Sequence, residues 1–280
     1  MSYLTMRDGT KIYYEDQGIG ETLLFCHGLN CSHLYMKDFM KEFRGEYRLV
    51  CYDQRGHGAS DRAEQHVNVE TLAQDLNELI ETLDLKGITA IGHSLGATTL
   101  FSYVDQFGCG RLKRMVVVDM SPKVRNDDWK GGNAQGRWTD EDFMQEMERI
   151  FDDAGYAEWY LNKTVFNPSL SDTGTDMDEA MSALYGKVID PFTMAGLMFS
   201  LYRTDLRDAI GKIEVPFLYI MPETPLFSKE NVDYIMDHVK KEFVLKKDFP
   251  GTTHDILKEK PHEAADGIKD FIKEFYRYSI

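Results

Sequence analysis

Residues Gly92-His93-Ser94-Leu95-Gly96 read Gly-x-Ser-x-Gly directly after the apolar run Gly87 to Ile91. This is the pattern of a nucleophile elbow, a sharp strand-to-helix turn that lifts one serine out of a sheet to attack an acyl carbon. The flanking glycines serve a steric need, because side chains there would collide with the neighbouring strand or helix. A helix is expected over Ala97 to Val104. A serine hydroxyl is a weak nucleophile at its own pKa, so Ser94 needs a base within hydrogen-bond reach and an acid to orient that base. Among the eight histidines, His254 is the candidate base: it sits between the last expected strand and a C-terminal helix starting near Lys260, where it can reach back over the sheet. His27, His57 and His93 adjoin glycines in tight turns and are assigned to loop geometry. His33, His66, His238 and His262 are assigned to the surface, with His33 also able to line a pocket mouth. Charge developing on a substrate oxygen calls for two preorganised backbone N–H groups. Leu95, next after the nucleophile, supplies one, and Leu29, just past the His27-Gly28 turn, supplies the other.

The elements that must hold these groups follow from periodicity. Short apolar or β-branched runs occur at 11–15, 22–27, 47–53, 87–92, 112–120, 215–221 and 242–249. Helix-length segments separate most of them, with apolar residues three and four apart, as at Val69, Leu72, Leu76, Leu79 and Ile80. Alternating strands and helices imply βαβ units and a mostly parallel sheet covered on both faces. The alternation breaks once, between Pro122 and about Thr204. Helical patterns there cover 139–154, 156–166, 176–189 and 192–202. About eighty helical residues exceed a plain crossover and are expected to form a lid over the carboxyl ends of the strands. The expected division is a core of 1–121 and 205–280 with a helical cap of 122–204.

These features together resemble the α/β-hydrolase fold superfamily. Asp8-Gly9-Thr10-Lys11 is similar to its opening hairpin, His27-Gly28 to its oxyanion turn, and Asp53 to Ser60 to the loop after its fourth strand. Gly92 to Gly96 is the elbow, and Val215 to Ile220 is similar to its seventh strand. The resemblance implies an α/β fold with a mostly parallel eight-stranded sheet, helices on both faces and an inserted cap. Its commonest pattern places an aspartate a few residues after the seventh strand, where this chain has Thr224. Two carboxylates remain for the triad acid: Asp119, at the end of the sixth strand as in some branches of the superfamily, and Glu223, beside Thr224. Asp119 is the favoured choice.

Composition bounds the function. A net charge of −15 disfavours nucleic acid, polyanionic substrates and anionic membranes. No 18-residue apolar run occurs and the first residues lack a signal-peptide shape, so a cytoplasmic location is expected. The four cysteines have no C-x-x-C spacing and are read as reduced thiols. No metal or nucleotide motif is present, and the sequence points to no cofactor. The expected partner is a small-molecule substrate, and the oligomeric state is left open. Methionines 144, 147, 177, 181, 194 and 198, with Trp129, Trp138, Trp159, Phe166, Phe192 and Phe199, serve first to pack the cap helices and also suit a pocket for an uncharged, fairly apolar acyl group. The leading expectation is hydrolysis of carboxylic esters through an acyl-serine. Lactone, thioester, amide or C–C hydrolysis and cofactor-free perhydrolysis share the apparatus, and a small-molecule receptor with slow turnover is the reading from another class.

Overall fold

The protein is described by a computed structural model covering residues 2–62, 65–136, 138–153, 155, 156, 189 and 191–276. The strands are β1 (Ser2–Thr5), β2 (Lys11–Gln17), β3 (Thr22–Cys26), β4 (Arg48–Tyr52), β5 (Ile88–His93), β6 (Leu112–Val118), β7 (Phe217–Thr224) and β8 (Val244–Thr253). They form an 8-stranded sheet in the order β1-β2-β4-β3-β5-β6-β7-β8. The β1–β2 and β2–β4 pairs are antiparallel, and all other neighbours are parallel. Seven strands coincide with apolar runs in the sequence. The first does not, because its residues are mostly exposed and an edge strand facing water carries no apolar periodicity to read.

Side chains alternate across a strand, and the sheet divides its apolar residues accordingly. Leu24, Cys26, Val50 and Tyr52 join one buried cluster with residues of the helices at Val69–Thr82 (α2) and Leu95–Phe107 (α3). Leu23, Phe25, Leu49 and Cys51 join a second cluster with residues of the helices at His33–Lys41 (α1) and Pro261–Glu274. Buried runs without alternating polarity are thus explained: both faces of the sheet are covered. All four cysteines are free.

Between β6 and β7 the described helices include α4 (Asp140–Asp152) and α5 (Pro191–Arg203), followed by a short helix at Arg207–Ile210. Thr139 and Asp142 form a reciprocal capping box at the start of α4, satisfying two backbone donors that a helix N-terminus otherwise leaves open. Helices α4 and α5 meet where the rings of Phe143 and Tyr202 stack at 3.9 Å. Thr193 of α5 lies against Gly56, where any Cβ would come within 2.3 Å of its methyl carbon. The helices expected over 156–166 and 176–189, and with them Trp159, Phe166, Met177 and Met181, fall outside the described residues apart from Tyr156 and Ile189. The first part of the inserted stretch is a loop bound to the chain after β7. Ala134 donates to the Leu226 carbonyl at 2.9 Å, and Ser228 donates to the Gly132 carbonyl at 2.9 Å. Trp129 belongs to this packing, with its indole N–H on the Lys123 carbonyl at 2.8 Å.

Candidate active site

The elbow forms because β5 must turn at once into α3. Ser94 sits between them with φ 53 and ψ −122, a conformation that costs a non-glycine residue energy and persists only where its surroundings impose it. The imposing contacts are close. A Cβ on Gly96 would lie 2.0 Å from the Cys26 carbonyl oxygen, and one on Gly92 would lie 2.7 Å from Ala97 Cα. The Ser94 N–H donates to the Val118 carbonyl at 3.2 Å, tying the turn to β6. Its hydroxyl makes no capping bond to the helix it precedes.

Asp119 follows that same β6 end, with φ 40, and is fully buried. Its N–H donates to the Ile220 carbonyl at 3.1 Å. Next to it, Met120 is clamped: its N–H donates to the Tyr219 hydroxyl, and its carbonyl accepts from Asn231 Nδ2, both at 3.0 Å. Aspartate Oδ2 accepts from the Leu226 N–H at 2.9 Å and lies 2.7 Å from His254 Nδ1. A carboxylate only accepts, so Nδ1 carries the hydrogen and Nε2 has the lone pair. That Nε2 is buried and has no hydrogen-bond partner among the described residues. Glu223 is exposed and its carboxylate accepts from the Gly251 N–H. The histidine therefore meets Asp119, and Glu223 instead braces the loop leading to it.

Leu29 follows the turn after β3, and that turn abuts the elbow: a Cβ on Gly28 would be 3.2 Å from Ser94 Cβ. Leu95 is the first residue of α3, so its N–H has no intrahelical acceptor and lies at the positive end of the helix dipole. Asn30, with φ 56, ends the turn, and its side-chain oxygen accepts from the Ile189 N–H at 3.3 Å. His27 is locked from both sides. Its Nδ1 donates to the Gly28 carbonyl at 2.7 Å, and its Nε2 accepts from the Gln54 N–H at 3.0 Å. Burial drives His27 down from its usual range and His57 down to about 3, so both are neutral at neutral pH. Among the described residues no group of three or more His, Cys, Asp or Glu side chains is arranged to hold a metal ion.

Residues 21–148 match the family model described as alpha/beta hydrolase fold. An esterase structure from Exiguobacterium antarcticum superimposes with a TM-score of 0.84 at 20% identity, covering 97% of this chain and 99% of that one. The chain has the α/β-hydrolase fold. It is 37% identical over 125 residues to the non-heme chloroperoxidase CPO-A1 of Kitasatospora aureofaciens, covering 44% of this chain and 46% of that protein. Against the bifunctional esterase/perhydrolase DCH of Acinetobacter calcoaceticus the identity is 30% over 130 residues, with the same coverage. The matched region thus spans about half the length of these curated relatives.

Within this α/β-hydrolase fold, two groups escaped the reading of the sequence. His33, assigned to the surface or a pocket mouth, is partly buried: Asp53 accepts from its N–H at 2.5 Å and lies 2.9 Å from its Nδ1 through Oδ2. Gln54 joins three elements, donating to the His27 carbonyl and accepting from the Thr99 hydroxyl of α3, both at 2.7 Å. Each partner is at least twenty residues away in sequence. The one local signal was the adjacency of Asp53 and Gln54 in a glycine-rich loop.

Proposed function

We propose that this protein is a serine hydrolase that cleaves carboxylic esters of small, fairly apolar substrates through an acyl-serine intermediate. The reading rests on His254, whose Nδ1 is held by buried Asp119 at 2.7 Å while Nε2 has no partner among the described residues. Ser94 Oγ attacks the ester carbonyl carbon as His254 Nε2 takes its proton, and Asp119 holds the imidazolium in register. The N–H groups of Leu29 and Leu95 receive the oxyanion. Collapse expels the alcohol with the proton from Nε2. A water activated by His254 then hydrolyses the acyl-serine.

The inserted residues 122–204 act in this reading as a cap on a core made of 1–121 and 205–280. Its described helices bury Phe143, Met147, Met194, Leu197 and Met198, and Ile189 reaches the Asn30 side chain beside the turn of Leu29. An apolar cover favours an uncharged acyl group over a polyanionic one.

A second reading is favoured by the names of the relatives, a chloroperoxidase and an esterase/perhydrolase. If hydrogen peroxide replaces water against the same acyl-serine, the ester oxygen of Ser94 leaves and a peracid forms. Both readings require Ser94 as nucleophile. A fluorophosphonate probe should label the wild type and fail on Ser94→Ala, and absence of labelling in the wild type would sink them together. A panel of esters, lactones and thioesters, run with and without peroxide, then separates the substrate classes.

A further inference from the structure

His93 occupies the variable position of the elbow directly before Ser94, and the reaction described above gives it no role. Its ring is fully buried. Nε2 lies 2.9 Å from the backbone carbonyl oxygen of His254. A carbonyl only accepts, so Nε2 carries the hydrogen and the bare nitrogen is Nδ1. Nδ1 has no hydrogen-bond partner among the described residues and faces the turn after β3, where a Cβ on Gly28 would lie 3.1 Å from it. The ring stacks on Tyr35 at 5.1 Å with an interplanar angle of 13°, and the Tyr35 hydroxyl donates to Asp255 Oδ1 at 2.6 Å. One side chain therefore touches the Gly28 turn, the elbow that carries the serine, and the main chain of the histidine itself.

We propose that His93 is a positioning residue that sets the reach of the His254 imidazole toward Ser94 by holding the His254 carbonyl through its Nε2 hydrogen bond. The assignment rests on His254 being the base. Burial, reinforced by the nearby His254, drives His93 well below the usual histidine range, so the donor stays neutral and of one tautomer. A charged ring would repel a protonated His254 during turnover, and a ring of the other tautomer would turn a lone pair on the carbonyl.

The test compares wild type, His93→Phe and His93→Gln on a short-chain p-nitrophenyl ester, with thermal midpoints alongside. Phenylalanine keeps the ring and the stack on Tyr35 but removes the donor. Glutamine places an N–H where Nε2 stands. We expect His93→Phe to lose on the order of tenfold to a hundredfold in kcat with KM unchanged, as for a small misplacement of a reacting group, and His93→Gln to recover most of it. Wild-type kcat in His93→Phe, or equal loss in both variants, overturns the proposal. Should His93→Phe fail to fold, long-range ¹H–¹⁵N spectra of histidine-labelled wild type decide. A neutral Nε2–H tautomer for His93 at pH 6 to pH 8 supports the proposal, and an Nδ1–H tautomer or an imidazolium defeats it. Failure of the base assignment has its own signature, a wild type whose turnover survives His254→Ala.

Discussion

Two buried aspartates each hold a histidine by Nδ1, and they differ in what else they hold. Asp53 Oδ1 accepts from the His33 N–H, and Oδ2 accepts from the Ala59 N–H at 2.7 Å. Glycine at 58 is required there, since a Cβ would stand 2.2 Å from Oδ2. Both carboxylate oxygens are thus occupied by backbone donors, and the pair closes a loop. Asp119 Oδ2 holds the Leu226 N–H and His254, while Oδ1 is buried with no hydrogen-bond partner among the described residues. The far nitrogen of His254 is equally without one. Buried polar atoms normally find partners. Where they do not, and where Ser94 and Asp119 also adopt positive φ, stability has been given up locally in the way functional sites give it up. One aspartate–histidine pair is a brace, and the other is poised.

The largest effect is expected at the poised pair. Asp119→Asn should lower kcat by about 10⁴, the loss typical of a neutralised triad acid. Glu223→Gln, at an exposed position, should change stability by no more than about 0.5 kcal/mol and leave kcat near wild type. Ester kinetics on both variants checks this, and a large loss for Glu223→Gln alone would return the acid to the end of β7.

The brace should respond in stability instead. Asp53→Ala strands buried backbone donors and the His33 ring, and should cost about 3 kcal/mol in urea unfolding while kcat of the folded fraction is kept. Loss of turnover without loss of stability would make Asp53 part of the chemistry.

A smaller effect follows from pH. Burial opposes charge on His33, but its hydrogen bond and ion pair with Asp53 outweigh that and raise its pKa from 6.5. A raised folded-state pKa contributes stability that is full below 6.5 and lost as pH rises through the higher value. Wild type should therefore lose more stability than His33→Phe as pH rises from 6.5 through the raised value in parallel urea titrations. Equal slopes would mean that the pair is not charged.

The smallest effect concerns the loop's outer support. Arg55 joins buried Asp75 and Asp8, each at 2.7 Å. Burial raises the pKa of Asp8, yet its bonds to Arg55 and Thr10 bring it down to about 2. A lowered pKa contributes stability above 3.8 that is lost as pH falls toward 2. Asp8→Asn should remove part of the acid sensitivity in that window, read as a shallower drop in thermal midpoint. Solvent screening keeps this contribution modest.

The elbow was legible because its constraints are local: strand, glycines, serine and helix are contiguous, and the clashes at Gly92 and Gly96 involve the adjoining chain or the neighbouring strand. His254 was legible from its place after the last strand. Asp119 was favoured but Glu223 stayed open as the alternative, because both stand at the carboxyl ends of neighbouring parallel strands. The pairing of His33 was not legible because its partner lies twenty residues away.

The amino-acid sequence by itself determined the alternation of strands and helices, the elbow, and the residue types available for acyl chemistry, since each depends on periodicity or on neighbours along the chain. Only the tertiary structure decided which carboxylate meets His254, which aspartate is merely a brace, and that His93 spans the Gly28 turn, elbow and histidine loop. Those outcomes depend on strand register and on hydrogen bonds between residues far apart in the chain, such as the 161 positions separating His93 from His254. Such pairings cost loop-closure entropy and leave no periodic mark in the sequence.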